Sequence, residues 1–317
     1  MRIAVLDAAT LGSDLDLSPL NELGEVSVWD TSEPEKIPER IAGADTVIIN
    51  KVRLNESNLK GNTSVRQICI AATGYDNVDT LYCGQHGIAV CNVVGYSTDS
   101  VAQLTLSMAL YLMCRMPEYT RVTRNGSYSA GNVANRLSPP YRELAGKTWG
   151  IAGYGHIGKR VAGAAAAMGC RVIVFKRTPE EGADCVDLDT LCRESDILSV
   201  HLPLNESTRG LFSAEKIAMM KPDALFINVA RGAVADERAL AEALKGNRLG
   251  GLGIDVYSAE PFRADHPFYE IREDDRVCFT PHMAWGAVEA RERCLREMIL
   301  NIKAFRAGER RCRVDRT

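Results

Sequence analysis

Apolar residues in this chain fall into short unbroken runs, and polar stretches with helical spacing separate one run from the next. A first series covers residues 3–6, 26–29, 46–49, 67–71 and 88–91. A second covers 148–152, 171–175, 197–200, 224–228, 251–255 and 277–279. Runs this short and continuous fit buried strands of a parallel sheet. Strands that alternate with helices predict doubly wound α/β folding. Two series predict two such units.

The join between the units is visible. Ser97-Thr-Asp-Ser100 offers capping side chains ahead of a long apolar-periodic helix, which the spacing carries to about Thr123. A loop over 125–140, rich in Gly, Asn, Ser and Pro, then leads into the second series. The last segment, 285–305, reads as a helix that would return the chain to the first unit. The first domain is therefore expected to be discontinuous, 1–98 plus 288–317, with a second domain over 99–287 inserted into it.

The second series opens on the most informative motif. Lys147-Thr-Trp-Gly-Ile-Ala152 reads as a buried strand, Gly153-Tyr-Gly155-His-Ile-Gly158 as a turn, and 159–168 as an alanine-rich helix stopped by Gly169. Strand, glycine turn and helix in that order form a dinucleotide-binding fingerprint. The first glycine makes the turn, the second admits a pyrophosphate to the backbone, and the third lets helix and strand pack closely. His156 and Ile157 then contribute backbone N–H groups at the positive end of the helix. The bland alternative is an ordinary glycine-rich β–α turn. Gly250-Gly-Leu-Gly253 leads into a strand instead of a helix, and it reads as a structural turn.

In this motif a carboxylate at the end of the next strand holds the ribose 2′-hydroxyl. Here the strand over 171–175 is followed by Lys176-Arg177-Thr178. Two cations and a hydroxyl attract a 2′-phosphate, and an arginine grips one bidentately. NADP(H) is therefore favoured over NAD(H). The alternative is an exposed basic turn with an unselective ribose site.

Composition narrows the class of partner. Of 317 residues, 46% are hydrophobic and 25% charged, and 38 basic side chains against 41 acidic ones give a net charge of −3. With the charges dispersed, no nucleic-acid partner is expected. The one dense basic run, 306–316, reads as a solvated tail. Ten cysteines include no CxxC pair and no zinc spacing, so no metal is expected. Cys69, Cys91, Cys170 and Cys278 lie in or beside apolar runs, as reduced thiols do, which points to a cytoplasmic setting. No apolar stretch reaches membrane-spanning length, and the N-terminus lacks a signal-peptide core.

Seven further segments, in order, carry a resemblance. They are Ala72-Thr-Gly-Tyr-Asp-Asn-Val-Asp79, Val94-Gly-Tyr-Ser-Thr-Asp-Ser-Val-Ala102, Glu143-Leu-Ala-Gly-Lys147, His201-Leu-Pro-Leu-Asn-Glu-Ser-Thr208, Ile227-Asn-Val-Ala-Arg-Gly232, Gly253-Ile-Asp-Val-Tyr257 with Glu260-Pro261, and Thr280-Pro-His-Met-Ala-Trp285. With the fingerprint, they make the chain similar, nearly end to end, to the D-isomer-specific 2-hydroxyacid dehydrogenases. The resemblance implies a Rossmann nucleotide-binding domain inserted into a flavodoxin-like substrate domain, and a homodimer. It implies that Arg231 binds the substrate carboxylate and polarises the adjacent carbonyl. His282 would be the general acid and base, and Glu260 would fix its tautomer and favour the protonated ring. Without the resemblance, His282 reads as a structural loop residue, and Arg231 with Glu260 as an ion pair.

Other positions follow by the same resemblance. The backbone N–H groups near Thr73-Gly74 would receive the substrate carboxylate, and Lys51 would point into the cleft, although it also reads as a solvated loop lysine. Thr98 would approach the nicotinamide, and Asp255 its carboxamide unless it is a helix cap. His201, Pro203, Thr208, Val229, Ala230 and Ala284 would line the coenzyme. His86 and His266 read as surface or loop residues. Trp285, three residues past His282, resembles the hydroxypyruvate and glyoxylate reductase branch, or is a packing aromatic. Hydroxypyruvate and glyoxylate are the favoured substrates, with pyruvate and other short 2-keto acids as alternatives. A co-repressor-like, dinucleotide-sensing protein is the rival from another class, and the intact trio argues against it.

Overall fold

Among residues 1–315, which the computed structural model describes, every strand pairs with its neighbours in parallel. The first unit comprises Met1–Ser97 and Gly286–Thr317. Its strands are β1 (Arg2–Val5), β2 (Glu25–Val28), β3 (Thr46–Ile49), β4 (Gln67–Ile70) and β5 (Ala89–Cys91). Their order, β2-β1-β3-β4-β5, is the flavodoxin-like one. Ala4, Val47, Ile49, Ile68, Ile70 and Val90 face one core. Ile3, Val5, Ile48 and Cys69, at the alternate positions, are equally buried. The helix Val288–Arg306 packs against β4, where Gln67 Nε2 donates to the Asn301 carbonyl at 3.2 Å.

The second unit, Thr98–Trp285, contains β6 (Thr148–Ala152), β7 (Arg171–Phe175), β8 (Ile197–Val200), β9 (Leu225–Asn228), β10 (Gly251–Ile254) and β11 (Val277–Phe279). These lie in the order β11-β10-β9-β8-β6-β7. The chain leaves β6 first to one side and then to the other, so the boundary of β6 and β8 is the topological switch point. Open α/β sheets bind ligands beyond the carboxyl ends of the strands at such a point. Alternation again divides the side chains between two cores. Ile151, Ile197, Leu225 and Ile227 meet the helices Thr98–Met113 and His156–Ala167. Ala152, Leu198 and Phe226 meet the helix Glu237–Lys245. Beyond β7 a further strand is reduced to one bridge, Val174 with Cys185.

The long helix expected up to about Thr123 is two helices, Thr98–Met113 and Met116–Arg124. Between them Arg115 adopts a left-handed backbone (φ 52°), and Pro117, which has no N–H for a helical bond, lies in the first turn of the second helix. The helix His156–Ala167 starts earlier than the alanine run suggested, because Gly155 is its N-cap. The last helix begins at Val288, since Trp285 belongs to the preceding loop, where its indole N–H donates to the His282 carbonyl at 3.1 Å.

The basic C-terminal run is exposed over 306–310 but is not a solvated tail over 311–315. Val314 N donates to the Val90 carbonyl (2.8 Å), Val90 N donates to Asp315 Oδ1 (3.0 Å), and Cys91 bridges Arg313. The segment therefore covers β5, an edge strand whose backbone groups would otherwise lack partners. Arg311 pairs with Glu297 and Arg313 with Asp315, so these cations are compensated locally. Arg316 lies outside the described residues.

Candidate active site

Close packing dictates the glycine turn. A Cβ on Gly153 (φ 97°) would come within 2.8 Å of the His201 carbonyl carbon, and one on Gly158 would run into the Gly153 carbonyl oxygen. Gly155 differs, because nothing lies within 4 Å of the place its Cβ would take. It caps the helix His156–Ala167, no side chain caps that terminus, and no acidic residue stands in the first turn. Open space before an uncapped helix N-terminus fits a pyrophosphate.

His201 follows β8 beside this turn. Its Nε2 lies 3.0 Å from Ser199 Oγ, which accepts the Trp149 indole N–H at 2.9 Å. Its Nδ1 is buried with no hydrogen-bond partner among the described residues. Burial alone pushes the ring pKa down to about 3, so the imidazole is neutral at physiological pH.

At the end of β7 a carboxylate joins the basic turn. Lys176, Arg177 and Thr178 stand there as expected, the last two exposed. Glu180, however, reaches back: its Oε2 lies 2.5 Å from Lys176 Nζ and its Oε1 2.6 Å from Lys159 Nζ. Both ammoniums lie over the Tyr154 ring, 5.9 and 5.6 Å from its centre. Bonds from Lys159 and then Lys176 hold the Glu180 carboxyl below the usual carboxylate range. No strand or motif marks Glu180 in the sequence. Only the turn over residues 176–180 brings it round.

The catalytic candidates come from the carboxyl ends of three adjacent strands. Arg231 follows β9 in a turn shaped by buried Asn228, which accepts from Ala230 N (3.0 Å) and donates to the Arg231 carbonyl (2.9 Å). Glu260 follows β10, and its Oε1 accepts from Tyr257 N at 3.0 Å. Its Oε2 lies 2.7 Å from His282 Nδ1 in the loop after β11. An ionised carboxylate can only accept, so Nδ1 carries the proton in this pair. The backbone at His282 is left-handed (φ 54°), which costs a non-glycine residue on the order of 1 kcal/mol or more and persists where its surroundings enforce it.

Those surroundings are specific. Asp255, fully buried after β10, accepts from Thr280 Oγ1 (2.6 Å), Met283 N (2.8 Å) and Ala284 N (2.9 Å). Asp255 thus clasps the His282 loop from both sides and caps no helix. Desolvation raises its pKa and the three donors oppose that. Trp285 packs on the neighbouring core and holds the His282 carbonyl. Beneath the Glu260 loop, buried Glu237 accepts from Ser258 N (2.8 Å) and Ser258 Oγ, and pairs with His266 Nε2 at 3.0 Å. His266 is therefore no ordinary loop residue. It is 8% exposed, with Phe268 N donating to its other ring nitrogen. Gly232 is required by close approach, since a Cβ there would strike the Tyr257–Ser258 backbone.

Other anticipated positions vary in what they present. Thr98 opens its helix, and Ser100 Oγ donates to the Ala284 carbonyl at 2.6 Å. Pro203 is exposed. The Thr208 hydroxyl closes the turn after β8, donating to the Pro203 carbonyl (2.7 Å) and accepting from Asn205 N (2.9 Å). Val229 and Ala284 are buried. In the first unit, Lys51 is exposed after β3, where Asp7 accepts from the amides of Asn50, Lys51 and Val52 and shapes the turn. Thr73 Oγ1 donates to the Val93 carbonyl at 2.8 Å, and Gly74 is half-buried. Among the described residues no helix is long and apolar enough to cross a membrane.

Comparison with known proteins agrees with this geometry. Residues 106–284 match the family model described as D-isomer specific 2-hydroxyacid dehydrogenase, NAD binding domain. The chain is 35% identical to a glycerate dehydrogenase of Methylorubrum extorquens, over 89% of this chain and 88% of that protein. It is 32% identical to a hydroxypyruvate reductase of Blautia hydrogenotrophica, over 97% and 98%. Among solved structures, an acyclic imino acid reductase in complex with NADPH and D-Arg superimposes with a TM-score of 0.88 at 28% identity, covering 99% of this chain and 100% of the other. A D-lactate dehydrogenase of Aquifex aeolicus with NAD and lactic acid gives 0.85 at 26% identity, covering 98% and 96%. With a family model matched over more than half of its length and relatives above 30% identity along most of it, the chain belongs to the D-isomer-specific 2-hydroxyacid dehydrogenase family of NAD-dependent oxidoreductases.

Proposed function

We propose that the protein reduces hydroxypyruvate or glyoxylate to D-glycerate or glycolate, with His282 as general acid and base. The observation that carries this reading is the 2.7 Å pair of His282 Nδ1 with Glu260, held on a left-handed turn by Asp255. Arg231, at the end of the adjacent β9, is assigned to the substrate carboxylate, for which a guanidinium fork suits. The nicotinamide, when bound, supplies the hydride. His282 Nε2 then gives its proton to the carbonyl oxygen, and Glu260 stabilises the imidazolium before that transfer. In the oxidative direction the same nitrogen removes the hydroxyl proton. Asp255 and Trp285 keep the ring oriented.

The coenzyme is assigned to the glycine turn, with the backbone of Gly155, His156 and Ile157 on the pyrophosphate and Lys176, Arg177 and Thr178 on a 2′-phosphate. That set favours NADP(H). His201, with its buried unpartnered nitrogen, is assigned to the nicotinamide side. Exposed Tyr128, Val133, Leu137 and Tyr141, in the long loop that follows the helix Met116–Arg124, support a homodimer, and a single-chain mass in sedimentation would remove that part of the reading. Ten unpaired thiols, six of them buried, support a reducing, cytoplasmic setting.

The decisive assay follows reduced-coenzyme oxidation with hydroxypyruvate, glyoxylate and pyruvate. Hydroxypyruvate or glyoxylate should exceed pyruvate in kcat/KM by about tenfold, the usual scale for a pocket contact. Faster turnover of pyruvate would reassign the substrate, and no turnover of any 2-keto acid would end the proposal.

A further inference from the structure

The charges at the end of β7 are arranged in a way that a simple 2′-phosphate site does not require. Glu180 divides its carboxylate between lysines from two elements. Lys159 belongs to the helix His156–Ala167, 2.6 Å from Oε1, and Lys176 follows β7, 2.5 Å from Oε2. Both ammoniums also lie over Tyr154, the second residue of the glycine turn. Two like charges flanking one ring repel each other unless an anion lies between them, and Glu180 is that anion. Lys176 and Glu180 are only 23% and 33% exposed, so water screens their contact less than it screens most surface pairs.

We propose that Glu180 determines coenzyme selectivity by occupying the two ammoniums that a ribose 2′-phosphate would otherwise take. The inference rests on the coenzyme reading above and deepens it. The carboxylate can accept a hydrogen bond from a 2′-hydroxyl, so it favours NADH. A 2′-phosphate meets the same carboxylate as a like charge, and must draw Lys159 and Lys176 away from it. With Glu180 in place, Lys159, Lys176 and Arg177 against one carboxylate leave a formal charge of about +2 for the incoming phosphate. Without it all three cations are available. Glu180 therefore restrains the NADPH preference that the basic turn creates.

The test measures equilibrium binding of NADPH and NADH by coenzyme fluorescence, for the wild type and for Glu180→Gln, which preserves size and removes charge. The variant should bind NADPH about tenfold more tightly, the scale of one charged hydrogen bond, while NADH changes by about twofold or weakens. The same contrast should appear with adenosine 2′,5′-bisphosphate against 5′-AMP, which probe the adenine end alone. An NADPH-to-NADH affinity ratio unchanged by the substitution would overturn the inference and leave the coenzyme reading intact. Failure of the wild type to bind either coenzyme would remove both. If Glu180→Gln melts early, Glu180→Ser serves instead. It should shift the NADPH-to-NADH affinity ratio in the same direction, and an unchanged ratio would again count against Glu180.

Discussion

Replacing His282 with alanine should lower kcat for 2-keto acid reduction by about a thousandfold, within the range of a lost general acid, and leave the Kd for NADPH within about twofold. The split between the two constants is what the geometry requires. The His282 ring is held by Glu260 at 2.7 Å, and its backbone by Asp255 through Met283 and Ala284, so the loop keeps its course when the ring is removed. The glycine turn and the basic turn after β7 lie at the far end of the sheet from β11, whose following loop carries His282. Stopped-flow and steady-state rates, together with a fluorescence titration of NADPH, read the two separately. A variant that keeps more than about a tenth of its turnover would show that another group supplies the proton. Loss of coenzyme affinity in parallel with kcat would point to a structural part for the ring.

Acid should weaken the fold through His201. Its ring pKa lies at about 3 in the folded chain against 6.5 for an unperturbed histidine, and burial is the cause. Below about pH 6.5 the unfolded chain takes up a proton at this position and the folded chain does not, so stability falls with falling pH until about pH 3. Between neutrality and about pH 5 the loss attributable to this ring is about 2 kcal/mol. Urea unfolding of the wild type and His201→Gln at about pH 7.5 and about pH 5 isolates the effect, because the other titrating groups are common to both. The variant should lose about 2 kcal/mol less than the wild type on acidification. Equal losses would mean that water reaches the ring and that its nitrogens are not sealed.

Much of the chain was legible in one dimension. Strands such as β3, β5 and β9 coincide with largely apolar runs, because a parallel strand buried on both faces leaves few positions for a polar residue. The glycine turn was legible too, since neither Gly153 nor Gly158 has room for a Cβ. The helix break at Arg115 was read through, because apolar spacing continues across it even though Pro117 stands in the sequence as the signal of a new first turn. The C-terminal segment was misread for a related reason. Its arginines look like a charge run until Glu297 and Asp315 are placed beside them and β5 is seen to need an edge partner.

Local order of residues, then, determined the parallel sheets, the glycine turn and the identities of Arg231, Glu260 and His282, since each depends on a run or motif only a few residues long. Tertiary structure alone decided how those groups are held. Asp255 meets Met283 across 28 positions of chain, Glu237 meets His266 across 29, and Glu180 joins a helix to the turn after β7. The physical reason is that a carboxylate's role depends on which donors surround it, and folding brings those donors from distant parts of the sequence.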